Sequence, residues 1–159
     1  MRRFGVKLFW LIVRPLQLTY WFLLRPKTYG VKSMVRRSDG AYLLVRLTYA
    51  HRRWTFPGGS VNRGESPHQA AVRELKEETS VALTSLVPLC TYEQNLEFKQ
   101  DTVEVFYATA LEADPLQEPD GFEVAEIGWF FPTALPKNRV PRVDELIAKV
   151  ESAMVAEAL

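Results

Sequence analysis

Gly59 to Val81 reads G-S-V-N-R-G-E-S-P-H-Q-A-A-V-R-E-L-K-E-E-T-S-V, and the rest of the 159-residue chain is best read outward from it. Just before it, the apolar run Trp54-Thr55-Phe56 ends in Pro57 and the pair Gly58-Gly59, which close a loop. Ser66 is a good N-cap, Pro67 suits a first helical position, and Gln69 stands where a capping box needs it. The spacing predicts a helix from Pro67 to about Thr79. On a helical wheel, Ala71, Val72, Leu75 and Thr79 share a side that should be buried. Glu74, Glu77 and Glu78 fall within an arc of roughly 100° on another side. Lys76 points away from that arc. Arg73 lies at its edge and should reach only one of the three acids.

Carboxylates at i, i+3 and i+4 repel one another by a few tenths of a kcal/mol per pair. A bare E-x-x-E-E is most often a solvated helix face. Here the glycine loop and Arg73 favour another answer, a hard divalent cation. Mg²⁺ takes oxygen ligands and keeps several waters that a phosphate can replace; Mn²⁺ is an acceptable substitute. The chain has no G-x-S-x-G, no loop Cys–His pair and no P-loop lysine, so direct attack by water on phosphorus is the economical chemistry.

The stretch resembles the Nudix box, G-x5-E-x7-R-E-U-x-E-E-x-G-U, with U a bulky aliphatic. Gly59, Glu65, Arg73, Glu74, Leu75, Glu77, Glu78 and Val81 match at the right spacing, and the preceding W-x-F-P-G-G is also typical. Ser80 stands where the family has glycine. The resemblance implies an α/β/α sandwich with a mixed sheet and Mg²⁺-dependent hydrolysis of a nucleoside diphosphate linked to another group. It implies that Glu74, Glu77 and Glu78 serve the metal and activate water, with Glu74, Glu77 and Arg73 assigned to catalysis. It also implies that the Gly59 carbonyl reaches the metal and that Glu65 braces the loop. An acid from outside the box is expected at the metal, with Glu123 the first candidate and Glu126 and Glu104 behind it. For the substrate, Arg46 is the phosphate candidate. Trp54, Phe56, Tyr92, Phe98 and Trp129 are candidate platforms, although aromatics in strands are usually core.

Two other readings compete with the hydrolase. One is a Nudix domain that binds a nucleotide or partner without turnover; the intact R-E-L-K-E-E argues against it. The other is an enzyme that removes an RNA 5′ cap. Residues 1–38 carry nine Lys or Arg and no acid, whereas the remainder has a net charge of −8. That acidic body disfavours a long nucleic-acid footprint, and no DNA partner is expected.

The basic first segment (1–27) stands apart from the domain at 28–159. Phe4–Leu24 is rich in Trp, Phe and Leu but is interrupted by Arg14 and Pro15, and its uncharged apolar runs are shorter than the ~20 residues a spanning helix needs. It reads as short helices lying on an anionic leaflet, on the domain itself, or on a second copy in a homodimer. One cysteine, Cys90, excludes an internal disulfide and fits the cytoplasm, with membrane association at the inner face.

Further along, Val31–Arg37 and Ala41–Leu47 flank Ser38-Asp39-Gly40 as a hairpin. Val81–Tyr92 reads as one or two strands, Glu93–Asp101 as a polar loop, and Thr102–Leu111 as a strand. Asp114–Gly121 should be a mobile loop, Glu123–Phe131 a strand, and Val140 or Val143 to about Ala156 a closing amphipathic helix. His51 and His68 are given no chemical role.

Overall fold

Local signals place the elements, and two covered faces explain why the strands are so apolar. The computed structural model describes residues 27–48, 52–96, 99–110, 116 and 123–157. The basic stretch 1–26, His51, Phe98 and nearly all of Asp114–Gly121 lie outside the described residues.

The described chain runs β1 (Lys27–Arg37), β2 (Tyr42–Leu47), β3 (Trp54–Thr55), α1 (Pro67–Thr79), β4 (Val87–Leu96), β5 (Lys99–Ala110), β6 (Val124–Phe130), a 3-10 turn (Pro132–Ala134) and α2 (Pro141–Glu157). The sheet is mixed. β1 pairs in parallel with β5, from Lys27↔Gln100 to Arg37↔Ala110. β5 pairs antiparallel with β4, β1 with β2, and β2 with both β3 and β6.

Alternation along the strands feeds two cores. Val31, Val35, Leu43, Phe106 and Ala108 pack with Ala70, Ala71 and Leu75 of α1. Met34, Tyr42, Leu44 and Val105 pack on the other face with Val143, Leu146, Ile147 and Val150 of α2. The expected sandwich is therefore present, with a helix on each face. A strand buried on both faces reads as a continuous apolar run, as Tyr42–Val45 does. α2 is also pinned by polar contacts. The Tyr42 hydroxyl donates to Glu151 Oε1 at 2.6 Å, and Arg36 Nε donates to the same oxygen at 3.1 Å.

Two expectations are corrected. Val81–Leu86 is not strand but a connection whose ends, Val81 and Leu86, are buried against the α1 core. Glu93–Asp101 is not a loop: β4 continues to Leu96, β5 starts at Lys99, and Glu93 faces Thr102 in the ladder. Ladder bonds come from the backbone, so a run of polar side chains does not forbid them. Pro88 is tolerated because β4 is an edge strand and its register shifts between Pro88 and Cys90. Cys90 is half-buried and packs against the α2 core, and His68 stands edge-on to Phe106.

Candidate active site

α1 begins as its sequence dictates. Gln69 N donates to Ser66 Oγ at 3.2 Å and Ser66 N donates to Gln69 Oε1 at 2.9 Å, closing the capping box. It ends at Ser80, which adopts the left-handed conformation (φ 63°) and donates its N–H to Lys76 O at 2.8 Å. The helix exit thus takes the backbone conformation a glycine would favour, with a serine in it.

The loop before α1 is laid along β1. Ser33 N donates to Pro57 O at 2.8 Å, Val31 N to Gly59 O at 2.9 Å, and Val61 N to Tyr29 O at 3.0 Å. Each glycine has its own reason. Gly58 has φ 141°, and a Cβ there would stand 2.1 Å from Val31 O. At Gly59 a Cβ would stand 2.5 Å from Glu74 Oε1, so the missing side chain is what lets the Glu74 carboxylate approach the loop.

Arg73 binds two of the three ridge acids, not one, and Glu65 as well. Its Nε and Nη2 donate to the two oxygens of Glu65 at 2.8 and 2.9 Å, and its Nη1 donates to Glu74 Oε1 at 2.8 Å and Glu77 Oε2 at 3.1 Å. Nη2 also donates to Ser60 O at 3.1 Å. The wheel describes only where the side chain starts; a guanidinium has five donors in a planar fork and reaches in several directions. The Arg73 bond, with the Asn62 amide at 3.0 Å, holds the Glu65 carboxyl down to about 2, and Glu65 in turn raises Arg73. Glu77 is the outermost acid, its side chain 60% exposed. With Arg73, Lys76 and Ser80 it lines an open groove of about 740 Å³.

Glu78 lies deeper. Its Oε2 accepts the Gly58 amide at 2.8 Å. Burial pushes its carboxyl up to about 7, opposed by Lys32 and the Gly58 amide and reinforced by the charges of Glu74 and Glu123. Glu74, Glu78 and Glu123 therefore share one electrostatic neighbourhood. Glu123 stands just before β6, its carbonyl accepting from Thr48 N at 2.9 Å. Glu126 instead pairs with Arg46, and Glu104 shares the β5 register of Phe106 on the α1 side.

Among the described residues no three His, Cys, Asp or Glu side chains converge as a ready metal cage. Mg²⁺ does not require one, because it binds through one or two carboxylates plus waters and substrate phosphate oxygens. A carboxylate raised chiefly by its burial, beside a second, like-charged one seated on a glycine, is a donor set that fits such a cation. The Gly59 carbonyl already accepts one hydrogen bond, from Val31.

The substrate candidates divide between the two faces. Phe56 is 2% exposed in the α2-side core, so its ring offers no free face, which corrects that expectation. Trp54 and Tyr92 also pack on the α2 side, Trp54 edge-on to Phe130 at 4.8 Å and Tyr92 beneath Arg142 at 4.5 Å. Arg46 continues the strand register of Tyr42 and Leu44, opposite Trp54. Of the described candidates only Trp129 packs on the α1 side; Arg37 covers its ring at 5.2 Å. Lys32, on β1, was not signalled by the motif. Its ammonium donates to Phe56 O at 2.9 Å and Gly58 O at 3.2 Å, inside the site. A lysine inside the mostly apolar stretch V-K-S-M-V was the available clue.

A family model described as the NUDIX domain matches residues 26–150. The chain belongs to the Nudix family. This Nudix chain is 36% identical over 88 residues to the putative 8-oxo-dGTP diphosphatase of Bacillus subtilis (strain 168), covering 55% of its own length and 56% of that protein. It is 33% identical over 120 residues to the ADP-ribose pyrophosphatase of Mycobacterium tuberculosis, covering 72% of itself and 58% of that protein. It thus spans less than two thirds of the length of these curated relatives. Among solved structures, the fold is shared with a MutT NUDIX hydrolase from Burkholderia pseudomallei (TM-score 0.69, 24% identity, 78% of this chain and 98% of that one). It is also shared with an Ap4A hydrolase binary complex from C. elegans (TM-score 0.70, 23% identity, 81% and 98%). Among the described residues no helix is long and apolar enough to cross a membrane.

Proposed function

We propose that this Nudix chain hydrolyses the pyrophosphate bond of a nucleoside diphosphate linked to another group, using Mg²⁺ or Mn²⁺ held chiefly by Glu74 and Glu78. The carrying observation is that these two carboxylates meet at the Gly58–Gly59 turn, one through the missing side chain of Gly59 and one through the Gly58 amide. When bound, the ion neutralises phosphate charge and makes a coordinated water more acidic. The chain's own part is placement. Arg73 ties Glu74 to Glu65 and so fixes the helix to the loop. Gly58 N–H holds Glu78, and Glu123 adds charge to the same neighbourhood from the start of β6. Glu77, exposed on the outer side and bonded to Arg73, would add a third carboxylate to the ion. On the α1 side, Trp129 under Arg37 is the aromatic group nearest this role for the substrate's base or sugar.

The names of the relatives share a nucleoside phosphoanhydride, which supports that substrate class. The test is product release from 8-oxo-dGTP, ADP-ribose and diadenosine tetraphosphate with millimolar Mg²⁺, comparing wild type with Glu78→Gln. The wild type should turn over at least one, and the variant should be slower by about 10²-fold or more. Equal rates, or no turnover by the wild type of any of them, would refute the reading. We also propose that residues 1–26 rest on an anionic bilayer surface in the cytoplasm. Flotation with phosphatidylserine vesicles that is unchanged when those residues are deleted would refute this.

A further inference from the structure

Lys32 lies outside the motif helix and its loop, yet it grips both ends of the turn that receives the Glu78 carboxylate from that helix. Its ammonium donates to Phe56 O and to Gly58 O. Gly58 also donates its own amide to Glu78 Oε2. One residue of the loop therefore carries the lysine on its carbonyl and the glutamate on its N–H. The loop has no slack there. A Cβ on Gly58 would meet Val31 O at 2.1 Å, and β1 holds the neighbouring Pro57 and Gly59 carbonyls through Ser33 and Val31.

Between them the two cations of the site meet the charges of Glu65, Glu74, Glu77 and Glu78. Arg73 hydrogen-bonds Glu65, Glu74 and Glu77. Burial lowers the pKa of the Lys32 ammonium, and the charges of Glu78 and, less strongly, Glu74 oppose that. Lysine is among the residues least often buried without a partner. A methionine would fill the same space against the loop at no electrostatic cost, so packing alone does not account for an ammonium here.

We propose that Lys32 is a positioning residue for the metal-dependent hydrolysis proposed above: its ammonium fixes the Phe56–Gly58 backbone and, through the Gly58 amide, sets where the Glu78 carboxylate meets the cation. The inference rests on that reading of the site. The Lys32 ammonium bonds the Phe56 and Gly58 carbonyls, so the effect assigned to it passes through Gly58.

The experiment uses the full chain as wild type, as Lys32→Met, and as Lys32→Cys in a Cys90→Ala background. The last protein is alkylated either with bromoethylamine, which restores an ammonium of nearly lysine length, or with iodoacetamide, which does not. Readouts are kcat and KM on whichever of 8-oxo-dGTP, ADP-ribose or diadenosine tetraphosphate the wild type turns over, Mn²⁺ affinity of the free protein by electron paramagnetic resonance, and melting temperature. Lys32→Met should lose about 10- to 100-fold in kcat and in Mn²⁺ affinity, the range for removing a partner that orients a metal ligand, with KM nearly unchanged. Aminoethylation should restore both, and carbamidomethylation should not. Unchanged Mn²⁺ affinity and kcat in Lys32→Met would overturn the proposal. So would tighter Mn²⁺ binding, which would make Lys32 a mere opposing charge, or equal restoration by both reagents, which would make it packing. If Lys32→Met does not fold, the two alkylated forms decide alone. A wild type that neither binds Mn²⁺ nor hydrolyses any of the three nucleotides sinks the hydrolase reading itself, and this inference with it.

Discussion

The Glu74 carboxylate occupies the space a side chain on Gly59 would need, with Oε1 2.5 Å and Cδ 2.6 Å from the position of a Cβ. A methyl group at this position must displace Glu74, and the side chain is free to move only by giving up its Arg73 bond at 2.8 Å. Gly59→Ala should therefore fold but lose hydrolytic rate, by about 10- to 100-fold, as a misplaced ligand does. The check is kcat beside the melting temperature. Gly58→Ala should behave differently, because its Cβ meets the Val31 carbonyl, which is backbone; loss of folded protein is expected there.

Glu78 makes stability depend on pH in a direction opposite to that of most acids. Its carboxyl is pushed from the ordinary 4.5 up to about 7, chiefly by burial. The fold therefore favours the neutral form. That preference is fully present below about pH 4.5 and is lost as pH rises through about 7. In EDTA, Glu78→Gln should be more stable than wild type near pH 8, by up to about 3 kcal/mol, and no different near pH 4. The Gln carbonyl can still accept the Gly58 amide. Millimolar Mg²⁺ should stabilise the wild type near pH 8 and the variant much less. Urea titrations with and without Mg²⁺ read both effects, and a variant less stable than wild type near pH 8 without metal would contradict the assignment.

Ser80 holds a left-handed backbone, φ 63°, at the end of α1. A Cβ there is unfavourable, and glycine removes the strain while adding freedom to the unfolded chain. The net should favour Ser80→Gly by about 0.5 kcal/mol. Denaturant midpoints for the two proteins measure it. A decrease in stability would mean that the serine side chain contributes more than its backbone conformation costs.

α1 was legible because its signals are local. Ser66, Pro67 and Gln69 mark its start, and the acid ridge and apolar side follow from one angle per residue. The sandwich was legible from element order and from the motif. Long-range choices were not. Tyr42–Val45 is apolar on both faces, so its alternation does not say which helix covers which side, and Trp54, Phe56 and Tyr92 could not be assigned to the α2 face from sequence. The three-way grip of Arg73 depends on Glu65 folding back against the helix, a loop geometry that spacing does not encode. Lys32 reaches the site from a strand 26 residues before Gly58, and no local pattern joins them.

The parallel pairing of β1 with β5 joins residues 73 apart, as at Thr28 and Asp101. During synthesis, the middle of the sheet cannot close until the whole of β5 has left the ribosome. The helix bearing the acids is made well before then, while Phe106, the ring against which His68 packs, has yet to be translated. A nascent chain halted before Lys99 therefore leaves the β5-facing edge of β1 bare, open to pairing with another polypeptide. Ribosome stalling or truncation in that interval should yield aggregates, not a partly working enzyme.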